Sequence, residues 1–337
     1  MIRILRSGPL NTIQDLGRPQ GRRWGVSRGG AMDPVSLRAA NALLGQGAGE
    51  AAIEVAIFPF ELRCETDCAF AVTGAGTAWL DGQVLPANWA RRVSAGQILL
   101  LNQGPRGAFG YVAFAGGLDV AERLGSRATD LKGGFGGAGG KGLSPGQTLG
   151  LRASGQGASV PHDGYGVSRG ALPAKRTGAA GETRLRAIAA AEWEAFTEEA
   201  RQDFVGSTWT ITREVNRTGY RLSGRQLRTR APLELLSHGL VPGVVQVPPS
   251  GQPIVQMADA NTAGGYPKIA TVIAADLWAL AQTRSGETVG FDIVSWEEAV
   301  AAGRELDRRL ADIDKALRAA RERSPPGAHL TTSPVER

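Results

Sequence analysis

Short apolar runs broken by glycine dominate the first half of the chain. "AAIEVAIFPFELRC", "CAFAVTGA", "ARRVSAGQILLL" and "GAFGYVAFAGG" each carry β-branched or aromatic residues between glycines or polar turns, which predicts strands. "AWLDGQVL" places Asp81-Gly82 between two such runs, a hairpin signal because that dipeptide tolerates positive φ. One helix interrupts them. Asp33 is its expected N-cap, Pro34 suits the first turn, and Leu37, Ala40, Asn41 and Leu44 share a face before Gly45.

The second half repeats the style. "WTITREV", "GYRLSG", "GVVQVP" and "PIVQMA" read as strands, "AAEWEAFTEEARQDF" as a short helix, and "KIATVIAADLWALAQ" as a buried strand running into a helix. The turn-strand units "SAGQILLL", "SPGQTLGL" and "RSGETVGF" recur in both halves. Ser295 and Glu298 form a capping box, after which Leu306, Leu310, Ile313 and Leu317 stripe a long helix. These patterns divide the chain into a strand-rich domain 1–152, an aperiodic linker or loop 153–182, a second strand-rich domain 183–297, a helix 298–323 and a tail 324–337 expected to be disordered.

Composition changes this picture little. A hydrophobic content of 42% with 21% charged residues is that of a globular protein, and 337 residues suffice for two domains. No window is apolar enough for a membrane helix and the N-terminus has no signal-peptide core, so a cytoplasmic protein with no membrane partner is expected. The net charge of +6 is spread over scattered arginines rather than a stripe, which argues against nucleic acid. Cys64 and Cys68 lie at C-x-x-x-C spacing with no histidine nearby, and His162, His238 and His329 share no ligand spacing, so no metal is expected.

Two glycine-rich stretches fail as nucleotide motifs. In "GGFGGAGGKG" the leading glycine of a phosphate loop falls on Phe135, and Gly142 replaces the magnesium-binding Ser or Thr. In "VTGAGTAW" Trp79 stands where the third glycine of a dinucleotide fingerprint belongs. No lysine sits in a biotin-acceptor setting, so biotin, if used, arrives in trans on another protein.

The order of "NTIQDLGR", "SRGGAMD" with "AAN", "IEV", "AFAGGLDV" to "LGSRAT", then "NRTGYRL", "PGVVQVPPSGQPIV", "TAGGYPKIATVIAADL" and "ALAQ" resembles the biotin-dependent carboxyltransferase-like family. That family includes the C subunit of 5-oxoprolinase, the carboxyltransferase part of urea carboxylase and an antagonist of a sporulation-kinase inhibitor. The resemblance covers residues 3–152 and 205–297. It implies a mainly β fold of two cyclophilin-like β-barrel halves with a few peripheral helices and a C-terminal helix. It also implies that the N-terminal loop and the "GGYP" loop approach the groove between halves. The expected activity is ATP-dependent opening of the lactam of 5-oxoproline to glutamate, as the C subunit, together with a B-subunit-like and an A-subunit-like protein. ATP would bind at a site shared with the B-subunit-like protein. Alternatives are carboxyl transfer in a biotin-dependent urea or amide carboxylase, and regulation by binding an inhibitor of a histidine kinase.

Chemistry on an amide needs a donor for the carbonyl oxygen and an acceptor for the nitrogen's proton. Arg18 and Arg217 are the candidate donors, and Asp15, Asp33 and Asp259 the candidate acceptors. Gln14 and Gln246 present an amide edge, Gly264 and Gly265 allow close backbone approach, Tyr266 supplies a wall, and Asn41 of "AAN" joins the substrate-binding set. Competing readings stand beside these: Asp33 as helix cap only, Arg18 paired with Asp15 to pin the loop, and Gln246 as the solvent-facing member of a strand. Glu54 inside an apolar strand demands a partner such as an arginine. Thr218 stands where the family commonly has methionine, His238 where it often has glutamate, and "ADANTAGGYP" lacks the usual arginine-glutamine.

Overall fold

The computed structural model describes residues 1–153 and 160–323. In the first half, twelve strands form two six-stranded sheets. One runs Thr148–Leu149, Ile2–Arg6, Phe60–Cys64, Ile98–Asn102, Thr77–Leu80, Gln83–Val84; the other runs Tyr165–Gly166, Trp89–Val93, Cys68–Gly74, Gly110–Phe114, Ala52–Val55, Thr12–Gln14. Ile2, Ile4, Phe60, Leu62, Leu99 and Leu101 of the first sheet share a core with Ile53, Val55, Phe70, Val72, Val112 and Phe114 of the second. Alternating side chains of both sheets interdigitate there, as period-2 patterning requires.

In the second half, seven strands close into a barrel: Thr183–Ala189, Lys268–Val272, Val244–Gln246, Ile254–Gln256, Gly219–Ser223, Trp209–Val215 and Thr288–Ile293. A parallel pairing of Thr183–Ala189 with Thr288–Ile293 completes the ring. The mainly β expectation with few helices therefore holds; closure removes the edges of the barrel, beside which His238–Gly239 and Ala263–Gly264 pair as a separate two-stranded sheet.

Helix α1 (Pro34–Leu44) forms because Asp33 caps it and Gly45, in the left-handed region, ends it. It packs on the second sheet with the C-terminal helix against it, Arg321 Nη1 donating to Ala42 O at 2.8 Å, and Leu37, Leu43 and Leu44 join Tyr220, Val255 and Phe291 in one core that crosses the two halves. Two helices follow, α2 (Glu198–Gly206) and α3 (Leu277–Ala281), and then α4 (Trp296–Arg323), which opens on the expected box: Ser295 N donates to Glu298 Oε2 at 2.7 Å and Glu298 N to Ser295 Oγ at 3.2 Å. No described helix is long and apolar enough to cross a membrane.

The segment read as a linker is packed where it is described. Val160 and Val167 are buried, Tyr165–Gly166 extends a sheet, and Lys175 Nζ donates to Gln282 O at 2.7 Å. Isolated apolar anchors in a glycine-rich stretch carry no periodicity, which is why the pattern showed none. Residues 154–159 and the tail 324–337, His329 included, lie outside the described residues.

Candidate functional site

A buried ion-pair knot joins the halves. Arg217 sits in the turn between Trp209–Val215 and Gly219–Ser223, and its Nε and Nη2 grip Asp259 in a fork at 2.8 and 3.0 Å. Nη2 also donates to Gly30 O at 2.6 Å, and Nη1 donates to Glu54. Glu54 Oε2 accepts from Tyr111 Oη at 2.6 Å and from Met32 N at 2.8 Å. The partner expected for Glu54 is thus Arg217, from the other half. Burial pushes the Glu54 carboxyl above its usual range, with Arg217 opposing. Burial pulls Arg217 down, but Asp259 and Glu54 outweigh it and hold the guanidinium above its ordinary value.

Two of the expected proton acceptors are spent on architecture. Asp33 Oδ1 caps α1 through Val35 N and Ser36 N, both 3.0 Å, while Oδ2 accepts from Ser36 Oγ at 2.5 Å and Gln282 Nε2 at 2.8 Å. Burial raises its carboxyl against these bonds. Asp15 accepts from Gly17 N, Ser126 Oγ and Arg127 N at 2.7, 2.7 and 2.6 Å, tying the N-terminal loop to residues 126–127. Asn41 is also structural: its Nδ2 donates to Ala48 O and Glu50 O, its Oδ1 accepts from Gln46, and it makes no contact with the groove or crevice described below. Short polar side chains bond local backbone readily, so sequence alone could not separate the two roles.

Arg18 is different. It is fully buried, yet only Nη2 is hydrogen-bonded, to Ala128 O; Nε and Nη1 have no partner. It does not pair with Asp15, whose oxygens the loop has taken. Its closest carboxylate is Asp130 Oδ2, 3.9 Å from Nη1, and the Phe135 ring covers the guanidinium at 4.9 Å. Burial lowers its pKa, against the pull of Asp130, Asp15 and Asp259. Gln14 lies alongside, donating to Thr12 Oγ1 and Thr129 O, with Oε1 unpartnered. The glycine-rich loop over Arg18 binds itself: Gly133 N donates to Asp130 Oδ1, Gly134 N and Phe135 N to Asp130 O, Gly137 N to Arg127 O and Gly140 N to Gly136 O.

Gln246, Gly264, Gly265 and Tyr266 do come together, but in a groove of about 980 Å³ whose walls, from Gln226 to Pro267, belong entirely to the second half. The N-terminal segment does not line this groove but reaches its wall: Arg22 donates to Leu240 O, beside Gly264, and Gly29 N donates to Ala258 O at 3.0 Å. Gln246 is buried like its strand neighbours Val244 and Val245: Oε1 accepts from Gln256 at 2.9 Å and Nε2, beside Gly264, has no partner. Behind Gly264, Lys268 Nζ lies 2.5 Å from His238 Nε2, and Glu192 Oε1 is 3.6 Å from the same nitrogen. A second crevice, about 490 Å³ between the halves, is lined by Arg217, Thr218 and Asp259 of the second half and Lys132 and Phe109 of the first. Residues 259–261 run between the two, Asp259 on the crevice and Asn261 on the groove. Lys132 Nζ, bonded to Asn261 Oδ1 at 2.6 Å, closes the span.

Sequence reasoning did not single out Tyr111, Asp130, Lys268 or Gln282. For Gln282 the available signal was a polar residue directly ending the apolar "LWALA"; its amide bonds Asp33, Phe109 O, Ala108 N and Phe109 N across the halves.

Comparison with known proteins agrees with this architecture. The family described as "Carboxyltransferase domain, subdomain A and B" matches residues 24–293. The chain is 40% identical to the C subunit of Escherichia coli 5-oxoprolinase over 91% of its own length and 96% of that protein. It is 41% identical to the C subunit of Haemophilus influenzae 5-oxoprolinase over 94% and 99%. The crystal structure of the Kluyveromyces lactis urea amidolyase superposes with a TM-score of 0.85 at 26% identity, over 93% of this chain but 20% of that one.

Proposed function

Since the chain belongs to the carboxyltransferase domain family of subdomain A and B type, we propose that it is the C subunit of a 5-oxoprolinase, a cytoplasmic enzyme that opens the lactam of 5-oxoproline to glutamate with ATP. The observation that carries this reading is near-full-length identity of 40% and 41% to two proteins of that name, each covered almost end to end. The urea amidolyase likeness is weaker in sequence and spans a fifth of a much longer chain, so carboxyl transfer ranks second.

The geometry supports activity within a complex. Asp15, Asp33 and Glu54 are consumed by hydrogen bonds inside the chain, whereas Gln246, which lines the large groove, has a buried Nε2 without a partner. The glycine-rich stretch lacks the spacing of a phosphate loop, so ATP would bind at a site completed by a B-subunit-like protein, with an A-subunit-like protein as the third member. Gln246, Gly264, Gly265 and Tyr266 would face that shared site.

Co-purification with the B-like protein, addition of the A-like protein and an assay of glutamate from 5-oxoproline test the reading. ATP-dependent release that avidin does not inhibit is expected. A well-formed complex that releases no glutamate refutes it, and avidin-sensitive carboxylation of an amide would establish the second reading instead.

A further inference from the structure

The crevice between the halves, about 490 Å³, has the size of a small-molecule site, for which roughly 300–1,000 Å³ is usual. Its walls are mostly apolar. Leu10, Phe109 and Leu131 come from the first half, Val215 and Tyr220 from the second.

Charge decides the kind of guest. The ionic side chains on these walls are Lys132, Arg217, Asp259 and Arg284. Arg217 and Asp259 neutralise one another in their fork, and Arg217 also binds Glu54. Lys132 and Arg284 have no such counterpart: neither forms an ion pair among the described residues. Lys132 Nζ donates to the neutral amide of Asn261 at 2.6 Å. Arg284 is clamped on backbone carbonyls of the first half, Gly107 O at 2.6 Å, Gly104 O at 2.7 Å and Pro105 O at 3.3 Å. Carbonyl dipoles fix the guanidinium without cancelling its charge, and both side chains keep N–H donors to spare. Even with Glu54 counted, the cations outnumber the carboxylates. A cleft with apolar walls and uncompensated charge of one sign focuses its field and collects the opposite ion. A cation would be repelled there, and a neutral ligand would leave the charge unused.

We propose that this crevice binds a small carboxylate, its apolar body against Phe109, Leu131 and Val215 and its anionic end at Lys132, with Arg284 adding charge from the opposite half. 5-Oxoproline, a compact ring with one carboxylate, is a ligand of this class. Its assignment to the crevice rests on the function proposed above; the charge argument does not. Crevice and groove then take different molecules, with residues 259–261 between them and Lys132 at the boundary through Asn261.

Saturation-transfer NMR on the full chain tests the site with cyclopentanecarboxylate, a small ring with one carboxylate, and with cyclopentanecarboxamide, its neutral counterpart. Lys132→Met removes the cation and keeps an unbranched stem, and Lys132→Arg keeps the charge. Lys315→Met, at an exposed lysine of α4, removes a charge elsewhere. The carboxylate should bind wild type, Lys132→Arg and Lys315→Met alike, and Lys132→Met at least tenfold more weakly. The carboxamide should bind wild type at least tenfold more weakly than the carboxylate does. Equal binding of the carboxamide, unchanged binding to Lys132→Met, or no carboxylate binding to wild type would overturn the assignment. So would a loss in Lys132→Arg or Lys315→Met as large as in Lys132→Met. Carboxylate binding as described without glutamate release by the three-protein assembly would keep the site and remove the 5-oxoprolinase reading. Full kcat/KM for 5-oxoproline in an assembly carrying Lys132→Met would keep that reading and overturn the placement of its substrate in the crevice.

Discussion

Arg217 and Arg18 are both buried guanidiniums close to Asp259, yet their surroundings are opposites. Arg217 bonds two carboxylates and a backbone carbonyl, spending its donors on groups that come from both halves. Arg18 spends one nitrogen on Ala128 O and leaves Nε and Nη1 bare. A buried charge that is fully met holds the fold in register. One that is partly met costs stability and persists only if something else uses it. The first arrangement is an interdomain rivet; the second has the character of a site.

The largest expected effect comes from breaking the rivet. Arg217→Met leaves Glu54 and Asp259 buried without their countercharge and should cost about 3–5 kcal/mol, the usual penalty for removing one partner of a buried pair. Urea denaturation of the full chain measures it. A loss below about 1 kcal/mol, the scale of an exposed pair, would mean that solvent reaches the knot and that the contrast with Arg18 is overdrawn.

Next comes a pH effect on the same interdomain network, which reaches Asp33 through Tyr111: the phenol donates to Glu54 and accepts from Asp33 N at 2.8 Å. Burial raises the Asp33 carboxyl above its unfolded value. The folded state then holds a proton that the unfolded state has released, so this contribution is fully present below the unfolded pKa and is lost as pH rises through the folded one. Asparagine also caps helices well, so Asp33→Asn keeps the cap and removes the titration. The wild type should lose stability relative to this variant as pH rises above about 4, with a slope of up to ~1.4 kcal/mol per pH unit. Parallel pH profiles of the urea midpoint would show that Asp33 does not hold that proton.

The difference between the two arginines also marks what the sequence made legible. Strands, α1 with its Asp33 cap, the box that opens α4 and the need of Glu54 for an arginine were readable, because each rests on local periodicity or on the cost of one bare charge. Which arginine met Glu54 was not, because Arg217 lies 163 positions away and is brought in by closure of the barrel against the first half. Gln246 illustrates the same limit. Alternation between Val245 and Val247 suggested a solvent-facing residue, but the barrel strand is buried on both faces and the amide lies inside, at the groove wall. Asp15 and Arg18, three residues apart, looked like a pair; the loop instead gave Asp15 to Ser126 and Arg127 and left Arg18 to the glycine-rich loop.

The smallest effect on stability is the sharpest test of the comparison. Arg18→Met removes one charge-assisted hydrogen bond, worth about 1.5–3 kcal/mol, but also removes two bare buried N–H groups that cost about 1–3 kcal/mol each. Methionine follows the path of the arginine stem but ends before the guanidinium carbon that covers Phe135. The relief is at least as large as the loss, so the variant should fall no more than about 1 kcal/mol below wild type in stability. Asp130, the nearest carboxylate, keeps its bonds from Gly133 N at 2.7 Å and Ser27 Oγ at 3.3 Å and is not stranded by the change. Glutamate release from 5-oxoproline by the three-protein assembly should nonetheless fall at least tenfold, since the unpartnered donors of Arg18 are gone. A variant that is as unstable as Arg217→Met would make Arg18 a second rivet. A variant that is stable and fully active would leave its buried charge without a use. Stability retained with activity lost is the combination that separates a site from a scaffold.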